Sequence, residues 1–257
     1  MKRTNFRIYS LLIMGVCIVF ASSCKKVDDN EPSLKNPTNG KTTAVFNSEV
    51  TYGTMTDQDG NIYKTVTIGT QTWMAENLRT TKYNDGTAIS NVTGATEWAN
   101  LKTGAYCNYN NTTNTDTIAT YGRLYNWHAV NTGKLAPTGW HVPTDAEWTQ
   151  LTDYVGGIGA AGGKLKETGA THWILTNNGT ANVATNKTGF TALPGGARGY
   201  FGTYGQVSNS GYWWSSTQHQ TYANYVWARI MVYDLSNVNR VFDVIKEFGF
   251  SVRCVKD

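Results

Sequence analysis

From about Val50 onward the chain alternates apolar and polar positions in short segments separated by turn residues. Ile62, Val66 and Ile68 fall on one face of an extended segment, with Tyr63, Thr65 and Thr67 on the other. This two-residue period marks a half-buried strand. Asp59-Gly60 precedes it as a turn signal, predicting a hairpin over 51–68. Further strands are expected at Tyr212–Ser216, Tyr225–Tyr233 and Phe250–Val255. One helix is well marked: Thr144 and Glu147 form a capping box, Trp148, Leu151 and Val155 follow at helical spacing, and Gly156-Gly157 stops it. A second, shorter helix is predicted over Lys164–Thr168. Two helices beside many short strands predict a loop-rich α+β domain.

The N-terminus has a different texture. Residues 1–10 hold Lys2, Arg3 and Arg7, and Leu11–Ala21 is an unbroken run of eleven apolar or glycine residues. That is a signal-peptide pattern, short of the ~20 residues that span a bilayer. Ala21-Ser22-Ser23-Cys24 resembles the lipobox of bacterial lipoproteins, which implies a signal peptide over 1–23 and lipidation of Cys24. Acyl chains contribute ~0.8 kcal/mol per buried methylene, so the chain is expected to be anchored in a membrane by its lipid. Lys25-Lys26-Val27-Asp28-Asp29 resembles the stretch that sends some Bacteroidota lipoproteins to the outer face of the outer membrane. Residues 24–49 are polar, contain two of the five prolines and read as a tether, leaving 50–257 as one domain.

Charged residues make up 16% of the chain, below the usual ~25%, while Thr, Asn, Gly, Trp and Tyr abound. Coiled coils and helical bundles are disfavoured. Of the 22 basic residues three precede residue 24, leaving 19 against 18 acidic ones, so the net charge of +4 gives no reason to expect a nucleic-acid partner. After processing, Cys107 and Cys254 remain. In an exported protein they are expected to form a disulfide, worth ~4 to 5 kcal/mol for so long a loop; two buried unpaired thiols are the alternative.

Seven segments occur in a fixed order: Asp59–Val66, Trp73–Leu78, Tyr121–Trp127, Gly139–Trp148, Ala192–Gly196, Tyr212–Ser216 and Gly249–Val255. Together they closely resemble the Fibrobacter succinogenes major paralogous domain over roughly residues 54–257. The resemblance implies a relation to the formylglycine-generating-enzyme branch of the C-type lectin fold, and it implies no reaction. Formylglycine generation needs a reactive cysteine pair, and Cys107 and Cys254 suit a bridge better, so no catalytic residue is assigned and the protein is not expected to be an enzyme.

His128, His141, His172 and His219 show no metal-binding spacing, and no cofactor or transition metal is expected. Calcium held by loop Asp and Asn oxygens is open but has no motif behind it. His141, between Trp140 and the Pro143 turn, reads as a packed histidine bonded to backbone. Asp116-Thr117-Ile118, in the Asn/Thr-rich stretch Asn108–Thr120, resembles a Bacteroidota O-glycosylation site, with an ordinary polar loop as the alternative.

The stretch 218–248 stands out, because relatives look Asn-rich here. This chain instead places Tyr222, Tyr225, Trp227, Ile230, Met231, Tyr233, Leu235, Val241, Phe242, Asp243, Val244 and Ile245 in it. Val, Phe, Asp, Ile, Tyr and Leu are all reachable from an AAC codon by changing adenines, which resembles the target of a diversity-generating retroelement. Those twelve residues are therefore the candidate surface for an unknown protein or glycan ligand. The competing reading is that Tyr225–Tyr233 and Arg240–Ile245 are buried strands. Two wider alternatives stay open: a structural envelope module without a specific ligand, and a vestigial oxidase using Cys107 or Cys254.

Overall fold

The computed structural model describes residues 36–175 and 184–257. The expected signal peptide, Cys24 and the first part of the tether lie outside the described residues. Turn residues cut the rest into short strands: β1 (Gly53–Thr56), β2 (Ile62–Ile68), β3 (Gln71–Met74), β4 (Ser90–Asn91), β5 (Ala105–Cys107), β6 (Leu124–Tyr125), β7 (Trp140–His141), β8 (Gly195–Arg198), β9 (Tyr204–Val207), β10 (Ser210–Gln218), β11 (Tyr225–Val232), β12 (Asn239–Ile245) and β13 (Val255–Lys256). They form a sheet in the order β1-β2-β3-β13-β7, a second in the order β12-β11-β10-β8-β9, and a three-stranded β4-β5-β6.

The domain is therefore mostly β, with 30% of the described residues in strands and bridges and 17% in helices, which overturns the α+β, C-type-lectin-like expectation. The longest described helix is only ten residues, Asp145–Tyr154. Its predicted cap is present: the Thr144 hydroxyl accepts from the Glu147 amide, and the Glu147 carboxylate accepts from the Thr144 amide at 2.8 Å. The second helix runs over Ile158–Leu165, ending where the sequence predicted it to begin. Its glycines, poor helix formers, let the helix lie against backbone: a Cβ on Gly162 would collide with the Asn237 carbonyl, and the Gly163 amide donates to Ser236 O at 3.0 Å.

The 51–68 hairpin forms as β1–β2. Tyr63 and Thr65, expected outside, are buried: Tyr63 packs in the cluster around Trp127 and Phe250 while Val66 and Ile68 pack in the cluster around Trp73, so each face of β2 meets core and only Thr67 is exposed. Residues 36–49 also depart from the tether reading. Asn39 Nδ2 donates to Gly60 O at 2.9 Å, Thr43 Oγ1 meets His172 Nε2 at 2.9 Å, and the Val45 amide donates to Glu167 Oε1 at 2.6 Å. A polar composition looked solvated, yet its short side chains and amides find partners on the domain.

Two apolar clusters form most of the core, and β10 joins them. Successive side chains on a strand point to opposite faces. Trp214 thus packs with Tyr63, Trp127, Phe250 and Val252, while Trp213 packs with Trp73, Trp148, Trp173 and Phe190. Seven of the nine tryptophans are fully buried; Trp140 and Trp227 are the exceptions.

Candidate functional site

The family-like segments meet in the interior. Asn77 Oδ1 accepts from Trp213 Nε1 at 3.0 Å and Arg253 Nε at 2.9 Å, and its Nδ2 donates to Tyr121 O at 2.9 Å. Arg253, wholly buried, also donates to the carbonyls of Met74, Phe190 and Thr191 and lies 4.4 Å over the Phe190 ring. Thr191 holds a left-handed φ of 53°, unusual for a β-branched residue, with its carbonyl turned to that guanidinium. Arg198, equally buried, spans the carbonyls of Val92, Thr93, Gly94 and Gly202 and lies over Trp98. Buried carbonyls left unpaired cost ~1–3 kcal/mol each, so these guanidiniums hold loops together where regular structure runs out.

The cysteines contribute packing. Cys107 and Cys254 are buried free thiols, Cys107 beside Trp98 and Leu124 and Cys254 in the cluster around Trp127 and Phe250. The expected disulfide is therefore not formed, because each residue fills a different apolar cluster. Burial pushes both thiols above their ordinary range, away from the thiolate that redox chemistry needs. His141 differs from its expectation too. Its ring joins two carboxylates, Glu147 at 2.7 Å and Asp257 at 2.6 Å, rather than backbone. Thr117 donates to the capping Asn114 Oδ1 at 3.2 Å in the first turn of a helix.

The proposed ligand-binding stretch resolves into the antiparallel pair β11–β12, with β12 at the sheet edge. Its two faces differ. Met231 and Val244, expected in the binding surface, are core instead: Met231 packs with Trp148 and Trp213, and Val244 pairs with Val226 beside Trp214. Val241 packs against the Trp214 side and Tyr233 against the Trp213 side; Ile230 and Ile245 are half-buried. Tyr222, Leu235, Phe242 and Asp243 are exposed.

Around Trp227 the outward side chains gather with a residue that the sequence had not singled out. His219 stands 5.1 Å from Tyr222, 5.7 Å from Trp227 and 4.9 Å from Phe242, ring centre to ring centre, and Tyr225 joins through Tyr222. Arg240 lies 3.7 Å over Trp227. The loop beneath is tied down: His219 Nδ1 accepts from the Thr221 and Tyr222 amides at 3.2 Å, and the His219 amide donates to Tyr225 O at 2.9 Å.

Next to the rings, Asp145 at the start of its helix receives Arg240 Nη2 at 2.7 Å and Arg229 Nη1 at 2.7 Å. Burial alone would raise the Asp145 carboxyl, but hydrogen bonds from Arg240 and Arg229 outweigh it and hold the group below its usual range. Asp145 was legible as part of a helix start but not as a partner of residues nearly a hundred positions away.

Geometry and fold thus define a mostly β domain with an arginine-braced core and a ring cluster displayed on an edge hairpin. The model of the Fibrobacter succinogenes major domain matches residues 66–256, and the chain belongs to that family. Among curated proteins and solved structures nothing matches the chain, so no comparison supports a lectin or formylglycine-generating-enzyme fold.

Proposed function

We propose that this protein is a lipid-anchored cell-surface protein that binds a protein or glycan ligand through the outward face of the loop and strands spanning 219–242, without covalent chemistry. The observation that carries the reading is the His219–Tyr222–Trp227–Phe242 cluster, exposed or half-buried in a molecule that fully buries seven of its nine tryptophans. Rings held at a surface offer large contact area at small entropic cost. The basic start, the apolar run Leu11–Ala21 and Cys24 support export and lipid anchoring to the outer membrane. Diversification of 218–248 would fall on the outward positions, since Met231 and Val244 are packed in the core.

Two measurements test this. Tyr222→Ser with Phe242→Ser should leave the circular dichroism spectrum unchanged and weaken, by tenfold or more, whichever binder emerges from a panel of immobilised surface proteins and glycans. Equal binding by the double variant would remove the hairpin from the function. Cys24→Ser should move the chain from the membrane fraction to the soluble one, and continued membrane retention would end the lipid-anchor reading.

A further inference from the structure

A cleft of about 290 Å3 opens beside the rings, bordered by Asp145, Thr217, His219, Gln220, Trp227 and Arg240. Its charges do not balance. Arg229 and Arg240 share the single carboxylate of Asp145, leaving one surplus positive charge. Arg229 is wholly buried and its Nε has no hydrogen-bond partner among the described residues, so the carboxylate is already shared thinly. Arg240 is the accessible member, with a side chain 40% exposed. It spends Nε and Nη2 on Asp145, which leaves Nη1 for a ligand.

The other polar groups are mostly donors. Thr217 Oγ1 accepts from the Asp145 amide, so its own O–H is free to donate. His219 Nδ1 accepts two amides, which places the ring proton on Nε2. Gln220 adds an exposed amide group. A ligand that satisfies this cleft brings an anion for Arg240, several oxygens for the donors, and a C–H face for the exposed rings of Tyr222 and Phe242, which adjoin the cleft through His219. An apolar peptide side chain would desolvate the donors without pairing them, at ~1–3 kcal/mol each. A neutral sugar would leave the surplus charge unmatched.

Taking this hairpin as the binding surface, we infer that the cleft recognises a carboxylate-bearing sugar, a uronic-acid unit of an acidic glycan, with Arg240 on the carboxylate and Tyr222 and Phe242 against the ring. With its Nε–Nη2 fork on Asp145, the guanidinium stays fixed over Trp227 and presents its charged Nη1 edge to a ligand carboxylate, which the single point charge of Lys would not do while also holding Asp145 bidentately.

The test titrates the purified chain with oligogalacturonate, oligoglucuronate and oligomannuronate, each beside its carboxyl-reduced counterpart, by calorimetry. At least one acidic oligosaccharide should bind tenfold or more tighter than its reduced form, with an affinity that falls as salt rises. Arg240→Gln should bring the acidic form down to the level of the reduced one while the melting temperature stays within a few degrees. Equal affinity for the acidic and reduced forms overturns the inference, and so does failure of all three acidic oligosaccharides to bind. If they fail while a protein ligand is lost on Tyr222→Ser with Phe242→Ser, the binding surface stands and only the glycan assignment falls.

Discussion

Arg253 and Arg240 are both guanidiniums laid over an aromatic ring, at 4.4 Å from Phe190 and 3.7 Å from Trp227, yet they belong to opposite kinds of site. Arg253 is wholly buried and spends its donors on Asn77 and main-chain oxygens of distant loops. Arg240 sits on an edge strand, shares one carboxylate and keeps donor capacity in reserve. Family-like segments supply Asn77, Tyr121 and Trp213 around Arg253, whereas around Arg240 they supply Asp145, and the rings of Tyr222, Trp227 and Phe242 come from the 218–248 stretch. Family membership here reports how the domain is held together, and the binding proposed for the hairpin is a separate matter that the family does not decide.

Substitutions should separate the two regions by size of effect. Arg253→Ala leaves three buried carbonyls and Asn77 short of a donor; we expect a loss of about 4 kcal/mol or more in denaturant unfolding, to the point of poor expression. A loss below about 1 kcal/mol would show that water replaces the guanidinium. Met231→Ala lies in the hairpin but on its inward face, and should cost roughly 2–5 kcal/mol, as a core residue does. A neutral result would return Met231 to the binding surface.

His141→Gln should have a smaller effect, visible mainly as pH dependence. Burial lowers the His141 pKa, but hydrogen bonds to Asp257 and Glu147 outweigh it and raise the group above 6.5. A raised folded-state pKa means that the pairs contribute fully below about pH 6.5 and lose that contribution as pH climbs through the raised value. For a half-exposed ring this is worth under about 1 kcal/mol, and His141→Gln should flatten that part of the stability profile. An unchanged profile would assign the pH dependence elsewhere. Smallest of all, Tyr222→Ser and Phe242→Ser should each alter stability by no more than about 0.5 kcal/mol. A larger loss would make the rings part of the core and dissolve the contrast.

What could be read from the sequence follows from the range of the forces involved. The capping box at Thr144 and Glu147, the Asp59-Gly60 turn and the strands around Trp213 and Trp227 rest on neighbours within a few positions, and they formed as predicted. Tyr63 was placed outside because alternation registers one buried face, whereas Tyr63 packs in one core cluster and Val66 and Ile68 in another. The Ile158–Leu165 helix was displaced because its glycines serve a close approach to residues 236 and 237, which no local propensity records. The candidate binding surface was half legible. Aromatic enrichment pointed to 222–245, but the split between Phe242 outward and Val244 inward needed the register with β11, and His219 and Arg240 entered only through contacts across strands.

The turn between β11 and β12 is gripped by Lys166, whose buried ammonium donates to the main-chain oxygens of Val232, Tyr233 and Leu235 at 2.8–3.0 Å. Every peptide unit carries such an oxygen, whatever side chain is attached to it. The grip is therefore indifferent to spelling: it holds Val232, Tyr233 and Leu235 by their main chain and not by their side chains. A turn fastened through oxygens that every residue shares sets few demands on the identity of the side chains it carries.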